Sequence, residues 1–527
     1  MAYPWSVSRL LKLSISLSAV VAVLALSSTT SGAVSLVQSK NVFQKTSKTA
    51  VIQHLGGVNP AQVHRFTVIL KNPTAADANH VATYFRGFGI AVTISPDNHF
   101  LHMVSTFARS AAAANTQFER VKIGTETLTR TTHSPQFPAD IASRVVGTSI
   151  NPGPRARAQN VRPQAEVVGP QTGYGPGDLA NVYNFNGVYS SGIDGKGETV
   201  DIAACFNIDP NDIAFFQTFY GLPSNPVNVI HVDGTLDQFG NVPPADLEPT
   251  LDVERVMSLA PNAKINLYVV PDCLISQFVD MFAEIAEDGH AVAMSTSYGL
   301  FEADYAVAGI GDLLVAQSAA LQGVADAHIA SFAVSGDSGS WGDSLTTGLT
   351  NFLDVLYPAS DPNEISVGGT TLEESVIQTR LFEYGWGGSG GGVSGIFPIS
   401  SWQAATPGVA SGLFKNLPDV AYDGDGNTGV ATAFLVSIPP PIFPVGGTSA
   451  SSPSWGGIAA LIAENRQKHG HALLGSKLAQ ALYAVRNSGG FTDITVGTNG
   501  YFATHAGFDN VTGLGVPNGV KLIKALQ

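Results

Sequence analysis

The chain has 527 residues, more than one hydrophobic core usually holds, so two or more folded units are expected. Charged residues make up only 13% of the sequence, the net charge is −14, and lysine and arginine form no basic stripe. This composition argues against nucleic acids and anionic membranes as partners. Because 44% of the residues are hydrophobic, serine, threonine, glycine and asparagine must cover much of the surface.

The first residues have the pattern of a secretory signal. Arg9 and Lys12 precede an apolar segment at 13–26, and a Ser-Gly-Ala sequence ending at residue 33 suits a signal peptidase. We predict a signal peptide at 1–33 and export to the periplasm or the medium. The apolar segment is short for a membrane span, and an uncleaved anchor is the alternative. No later stretch of the sequence reaches spanning length.

Two cysteines, Cys205 and Cys273, are too few for a disulfide framework. An exported chain of this length must therefore depend on its hydrophobic core. The sequence leaves open whether the two cysteines pair with each other.

A small α+β pattern occupies residues 64–123. Its elements are a strand at 66–70, a helix at 75–88, strands at 91–94 and 100–104, a helix at 107–118 and a strand at 121–123. This β-α-β-β-α-β order is the split, ferredoxin-like one. Such a module is either a binding domain or an intramolecular chaperone for the residues that follow.

A proline-rich stretch at 148–177 predicts an exposed linker that is open to proteolysis. Beyond it, continuous apolar runs alternate with helical segments; the runs lie at 200–204, 265–270, 291–297, 329–334 and 365–367. Strands of this kind are buried on both faces, so we predict an α/β fold with a parallel sheet flanked by helices. Functional groups gather at the carboxyl ends of such strands.

One serine is predicted at the start of a helix. Gly446-Gly447-Thr448-Ser449 permits a tight turn, and a small and then apolar helical run follows, with Pro453 expected in the first turn. There the helix dipole and the free backbone amides favour the oxyanion that an attacking serine creates. The alternative is an N-cap serine on a core helix.

A pair of carboxyl groups is the candidate base. Glu248 and Asp252 are four residues apart in a helical pattern, which places them on one face about 5–6 Å apart at Cβ. Two carboxyl groups this close have pKa values pushed apart, which suits a general base and its orienting partner. A solvated acidic first turn is the alternative, and Pro249 favours an N-cap position for Glu248.

A third carboxyl group follows the apolar run at 329–334. Asp337 stands in a Ser-Gly-Asp-Ser-Gly turn, and if it is protonated it would donate a hydrogen bond to the oxyanion. An Asx-type turn is the alternative.

These motifs together resemble the sedolisin family of serine-carboxyl peptidases over about 173–527. Further matching stretches are 295–302, 390–394, 397–398, 402–403 and 418–421. The resemblance implies a subtilisin-like fold with Ser449 as nucleophile, Glu248 as general base and acid, Asp252 as its orienting partner and Asp337 as the oxyanion-hole acid.

The resemblance implies an endopeptidase that acts on proteins or peptides in acid. A carboxylate with an ordinary pKa of about 4.3 still accepts a proton where histidine, at about 6.5, is already protonated. The residues expected to bind substrate are Ser297, Tyr298, Gly299, Gly391 and Gly392. A catalytically silent member that serves as a secreted binding or scaffold protein is the alternative.

The resemblance also implies one structural calcium ion near the C-terminus. Asp493 and Asp509 would supply carboxylates, and Ile494 and Gly507 would supply backbone carbonyls, which are the hard oxygen ligands of calcium. A turn-rich segment without metal is the alternative.

The predicted organisation is that of a monomeric zymogen. An activation prodomain at 34–146, with a folded core at 64–123, precedes a processing linker at 147–172 and a peptidase domain at 173–527. The prodomain is expected to act as an intramolecular inhibitor and chaperone and to be cleaved off in the linker.

Overall fold

The computed structural model describes residues 52–124, 126–158, 172–234, 246–343, 350–374, 380–435 and 441–527. The predicted signal peptide, the start of the predicted prodomain and linker residues 159–171 lie outside these ranges. Within the described ranges, no helix is both long and apolar enough to cross a membrane.

The first region contains two antiparallel sheets and three helices. Its elements are β1 (Ile52–Gly57), β2 (Val63–Leu70), α1 (Ala75–Gly87), β3 (Ala91–Ile94), β4 (Phe100–Thr106), α2 (Phe107–Ala113), β5 (Phe118–Ile123), β6 (Glu126–Thr131), α3 (Ala139–Ala142) and β7 (Val145–Thr148). One sheet has the strand order β3-β4-β2-β7, and the other has the order β1-β5-β6. Alternating and continuous apolar residues on β2 and β4 bury one face of the larger sheet against α1.

Two elements of this region differ from the prediction. The strand expected at 121–123 as the last of the larger sheet lies in β5 of the smaller sheet, and β7 takes its place beside β2. The second helix, expected to reach Phe118, ends at Ala113. Asn115 adopts a left-handed φ of 44°, which a continuing helix does not allow.

The central region contains the large sheet. Its elements are β8 (Arg157–Ala158), α4 (Pro176–Val182), α5 (Asn186–Ser190), β9 (Thr199–Cys205), α6 (Pro210–Tyr220), β10 (Val227–His231), α7 (Leu247–Leu259), β11 (Lys264–Val270), α8 (Ile275–Asp288), β12 (Ala293–Thr296), β13 (Tyr298–Phe301), α9 (Glu302–Val307), α10 (Gly311–Asp326), β14 (Ala330–Val334), β15 (Trp341–Asp343), β16 (Thr350–Leu353), β17 (Leu356–Tyr357), β18 (Glu364–Glu374) and β19 (Arg380–Gly385).

The C-terminal region adds one long helix and several short elements. They are β20 (Gly392–Pro398), α11 (Ser401–Ala404), β21 (Phe414–Leu417), β22 (Val420–Asp423), β23 (Val430–Ala433), β24 (Ile442–Val445), α12 (Thr448–Lys468), α13 (Leu478–Ala484), β25 (Phe491–Thr492), β26 (Val516–Pro517) and α14 (Gly519–Ala525). Short 3-10 turns occur at Val232–Gly234, Gly426–Thr428 and Gly475–Lys477.

The predicted parallel sheet is confirmed. The described strands run in the order β10-β11-β9-β12-β14-β18-β19, with β22 also paired to β18, and only β19 is antiparallel to its neighbour. All five predicted apolar runs lie in this sheet. Residues such as Val200, Ile202 and Leu267 are fully buried, because helices cover both faces.

Helices α7 and α12 pack closely against each other. A Cβ atom at Gly457 of α12 would lie 2.7 Å from the Cβ of Leu259 and 3.3 Å from the carbonyl of Val256 on α7. Only glycine therefore permits this approach. α12 also lies along the sheet, where Trp455 is buried and its indole N–H donates to the Ala421 carbonyl at 3.0 Å.

We expect the free energy of unfolding to fall as the pH rises from about 4 to about 8. Burial raises the pKa of Asp201 to about 7 and that of Glu364 to about 8. In the unfolded chain the same groups have pKa values near 4. The stabilisation is complete below about pH 4 and is lost as the pH rises through the folded-state values. Calorimetric melting temperatures across this range test the expectation.

A matched pair of variants identifies the source of this pH dependence. Asp201→Asn keeps the side-chain shape and removes the titration, so its melting temperature should vary less with pH. Asp272→Asn, at an exposed position, should leave the wild-type slope unchanged. A wild-type melting temperature that rises toward pH 8 would contradict the assignment.

Candidate active site

Glu248 and Asp252 lie on one face of α7. The helix begins at Leu247, and Pro249 is its third residue, where a missing N–H costs no helical hydrogen bond. Glu248 is thus a helical residue, and its alternative position as an N-cap is wrong. The two side chains are only 2% and 1% exposed, so the alternative of a solvated acidic turn is also wrong.

Ser449 is the second residue of α12 and is fully buried. The N-cap is Gly447 with φ 115°, a conformation that other residues rarely adopt, so the alternative of an N-cap serine is wrong. Pro453 lies in the second turn, not in the first as predicted. It has no N–H for the Ser449 carbonyl four residues earlier, so the first turn has one helical hydrogen bond fewer.

Asp337 lies in the loop after β14 and is held by the start of α12. Its Oδ1 accepts hydrogen bonds from the Thr448 backbone N–H at 2.7 Å and from the Thr448 hydroxyl at 2.8 Å. Thr448 Oγ1 also accepts from the Gly336 N–H at 3.2 Å. The carboxyl group is therefore bound across the fold rather than in a local Asx turn. A Cβ at Gly447 would lie 2.7 Å from Asp337 Oδ2, so only glycine fits beside it.

The four predicted catalytic residues come together in one buried cluster. Five oxygen atoms of these residues are inaccessible to solvent and have no hydrogen-bond partner among the described residues. They are Glu248 Oε1 and Oε2, Asp252 Oδ2, Asp337 Oδ2 and Ser449 Oγ. The Ser449 hydroxyl nevertheless lies near enough to Glu248 to favour the ionised carboxylate. Buried polar atoms are normally satisfied, so this unpaired set is an arrangement that a bound group can complete.

Burial sets the charge state of the cluster. Burial, and then the Asp252 charge, raise the pKa of Glu248 well above its ordinary value. Burial likewise raises the pKa of Asp252, against a hydrogen bond from Ser297. Burial raises the pKa of Asp337 to about 6, against the two hydrogen bonds from Thr448. The cluster therefore retains protons at a pH where isolated carboxyl groups are ionised.

Sequence reasoning missed two hydroxyl groups that hold these carboxyl groups. Ser297, predicted to bind substrate, donates to Asp252 Oδ1 at 2.7 Å. Thr448 holds Asp337 in the same way. The only signals in the sequence were their positions, Ser297 after a strand and Thr448 beside Ser449.

The other residues predicted to bind substrate are mostly enclosed. The Tyr298 ring is buried and its hydroxyl donates to the Cys205 carbonyl at 3.4 Å, so mainly the backbone of Tyr298 and Gly299 remains for a ligand. Gly391 is buried where a side chain would collide with the Asn510 carbonyl, and Gly392 pairs with Leu417 in β20 and β21.

The backbone edge of β13 is occupied by the chain itself. Ala158 pairs with Tyr298 and Arg157 with Gly299, both antiparallel. Just before β8, the Ala156 N–H donates to the Cys273 carbonyl at 2.7 Å. Residues 156–158 of the predicted linker thus run in an extended conformation over the residues predicted to bind substrate.

The cysteine pairing that the sequence left open is resolved. Cys205 and Cys273 form a disulfide, with Cα atoms 5.2 Å apart. Cys205 ends β9, and Cys273 lies in the connection between β11 and α8. The disulfide is therefore next to the same extended segment.

The residues predicted to bind calcium converge on one turn. Asp493 Oδ2 accepts from the Gly507 N–H at 2.9 Å, and Asp509 Oδ2 accepts from the His505 N–H at 3.2 Å. Carboxylates and backbone carbonyls are the kinds of oxygen donor that calcium takes. Among the described residues, no group of three or more His, Cys, Asp or Glu side chains is arranged to hold a metal ion, so a calcium site here would also need backbone carbonyls.

Comparisons with known proteins place the chain among peptidases. Kumamolisin from Bacillus sp. (strain MN-32) is 33% identical over 393 residues, which span 70% of this chain and 65% of kumamolisin. Tripeptidyl-peptidase 1 from Homo sapiens is 30% identical over 440 residues, or 76% of this chain and 74% of the relative. No protein-family model matches.

Solved structures give the same answer for the fold. A Pseudomonas sedolisin, described as a serine-carboxyl proteinase, superposes with a TM-score of 0.59 at 23% identity, covering 68% of this chain and 98% of that protein. With this fold and these relatives, the chain belongs to the sedolisin family of serine-carboxyl peptidases.

Proposed function

We propose that the chain is a serine-carboxyl endopeptidase, made as a proenzyme, that hydrolyses peptide bonds in acid. One observation carries the proposal: Ser449, Glu248, Asp252 and Asp337 meet in one cluster whose facing oxygen atoms are buried and unpaired. A peptide carbonyl in this cluster would have a nucleophile, a base and an acid beside it.

Ser449 Oγ attacks the carbonyl carbon while its proton passes to ionised Glu248. The raised pKa of Glu248 makes its carboxylate a stronger base than an ordinary one. Asp252 shares the charge and orients Glu248. Glu248 then returns the proton to the leaving amine, and water releases the acyl group from Ser449 by the same steps in reverse.

Asp337 stabilises the oxyanion of the tetrahedral intermediate. Thr448 donates two hydrogen bonds to Oδ1 of Asp337. The other oxygen, Oδ2, is therefore the one that carries the proton and donates a hydrogen bond to the oxyanion. In the proposed mechanism Glu248 and Asp252 together carry one negative charge, while Asp337 carries a proton. The dipole of α12 adds to this stabilisation at Ser449.

We infer that the first region keeps the proenzyme inactive. The pairing of Arg157 and Ala158 with β13 supports this inference, because it covers the edge on which a substrate would bind. Contacts between the first region and helix α8 support it further: Ser149 donates to Asp280 Oδ1 at 2.8 Å, and His102 contacts Glu287 at 2.6 Å. Cleavage after residue 158 would free this edge.

We also infer export of a monomer stabilised by calcium. The signal-like N-terminus and the disulfide both suit an oxidising compartment. Asp493, Asp509 and the carbonyls of Ile494 and Gly507 would hold the calcium ion. The bound ion would join the loop before β26 to the end of β25.

The pH profile of activity tests the mechanism. Cleavage of unfolded protein by the processed chain should occur in acid and should fall as the pH rises through about 6, where Asp337 loses its proton.

Ser449→Ala should be inactive. Asp337→Ala should lower kcat about 100- to 1000-fold, which is the usual effect of removing an oxyanion donor.

The variant Asp337→Asn keeps a hydrogen-bond donor at this position and removes the group that titrates. The amide keeps an uncharged donor, so kcat should fall but the decline near pH 6 should disappear. An activity maximum above about pH 7 in the wild type, or the same decline in Asp337→Asn, would remove Asp337 from this role.

Ser297→Ala should destabilise the fold more in alkali than in acid. The Ser297 hydroxyl favours ionised Asp252, whose pKa burial raises to about 8. A hydrogen bond to a charged group contributes about 1.5–3 kcal/mol, and this contribution is needed only where Asp252 is ionised. Thermal melts near pH 5 and pH 9 measure the difference.

Ser295→Ala is the matched control for this variant. Ser295 is equally buried two residues earlier, but its hydroxyl meets the uncharged Ser452 hydroxyl at 2.9 Å. The loss of folding stability in Ser295→Ala should therefore not depend on pH. An equal, pH-independent cost in both variants would contradict the role of Ser297.

Calcium should raise the melting temperature by mass action. A ligand at 100 times its Kd stabilises the folded state by about 2.7 kcal/mol. Asp493→Asn, at an exposed position, should abolish the calcium effect, while Asp272→Asn should preserve it. A melting temperature that is the same in calcium and in a chelator would contradict the site.

A further inference from the structure

The Cys205–Cys273 disulfide holds two backbone segments in an unusual conformation. Cys273 has φ 58°, and Phe206, which follows Cys205, has φ 66°. Both are non-glycine residues in the left-handed region, where side chains are disfavoured. Such conformations persist only where the surrounding structure fixes them, and they concentrate at ligand clamps.

The connection that contains Cys273 faces the extended linker with its backbone. The Cys273 carbonyl accepts the Ala156 N–H at 2.7 Å, and the Ile275 N–H donates to the Pro154 carbonyl at 2.9 Å. Leu274 forms an antiparallel bridge with Arg155. The extended segment therefore has β13 on one side and this connection on the other.

The register gives the direction of a peptide bound in this groove. Ala158 lies opposite Tyr298 and Arg157 opposite Gly299, so a peptide's carboxyl end runs toward Ser297, whose side chain contacts Asp252. The Cys273 carbonyl contacts the residue two positions before Ala158. It therefore lies on the amino-terminal side of the catalytic cluster.

We propose that the disulfide is a positioning element for substrate: it fixes the Cys273 carbonyl to accept a backbone N–H of the bound peptide, on the amino side of the bond to be cleaved. The inference rests on the proposed peptidase function. Without the disulfide, Cys273 can leave the left-handed region, and its carbonyl then turns away from the peptide. The catalytic cluster does not depend on this carbonyl, so only binding is affected.

Peptides of increasing length test this role. In the processed Cys205→Ser/Cys273→Ser double variant, KM should rise about tenfold for peptides that extend far enough on the amino side to reach Cys273. For shorter peptides KM should be unchanged, and kcat should be unchanged for both. Reductant should reproduce the effect in the wild type and have none on the double variant.

A stability control separates positioning from general loosening. Val279→Ala removes buried methyl groups from α8, beside the connection, and lowers the melting temperature without touching the groove. It should not give the length-dependent KM. A KM increase in the double variant that is the same for short and long peptides would overturn the proposal.

Hydrogen exchange tests the positioning without using activity. In the full-length Ser449→Ala chain, a peptic fragment covering residues 152–158 should exchange at least tenfold faster when both cysteines are serine. Fragments from β9 and β11 should be unchanged. If the wild type cleaves nothing but this difference is present, the positioning stands and the peptidase function fails. Unchanged exchange would overturn the positioning itself.

Discussion

The close crossing of α7 and α12 is the constraint on which the site depends. Gly457 allows the two helix backbones to approach, and this approach brings the carboxyl groups of α7 in front of the serine of α12. Three carboxyl groups in one dry space are costly unless hydrogen bonds or protons compensate. The Ser297 hydroxyl donates a hydrogen bond to Asp252, and the Thr448 hydroxyl donates one to Asp337. Retained protons lower the remaining negative charge. Chemistry and electrostatics at this site thus have one geometric origin.

Much of the fold could be predicted because its signals are local. Five continuous apolar runs became strands of the parallel sheet, and the paired carboxyl groups of α7 follow from helical spacing alone. The strand β7 was missed because four residues next to a proline-rich stretch carry little pattern. Its place in the sheet depends on pairing with β2, which is distant in the sequence.

The hydroxyl partners and the disulfide could not be read from spacing. A serine or threonine that holds a carboxyl group looks like any other, and only the assembled fold shows what Ser297 reaches. The pairing of β11 with β9 brings the two cysteines together. The strands are parallel with Val270 opposite Cys205, and Cys273, three residues after Val270, lies beside Cys205. The cysteines are separated by 68 residues, and no local pattern connects them.

The connection between β7 and β8 is short, and this has a kinetic consequence. Only residues 149–156 separate the end of β7 from the start of β8, so the groove is always close to its own chain. A segment tethered in this way competes at an effective concentration that is typically millimolar for short connections. A free peptide at micromolar concentration would rarely displace it. In the proposed proenzyme, the timing of activation would therefore be set by cutting the tether, and not by the supply of substrate.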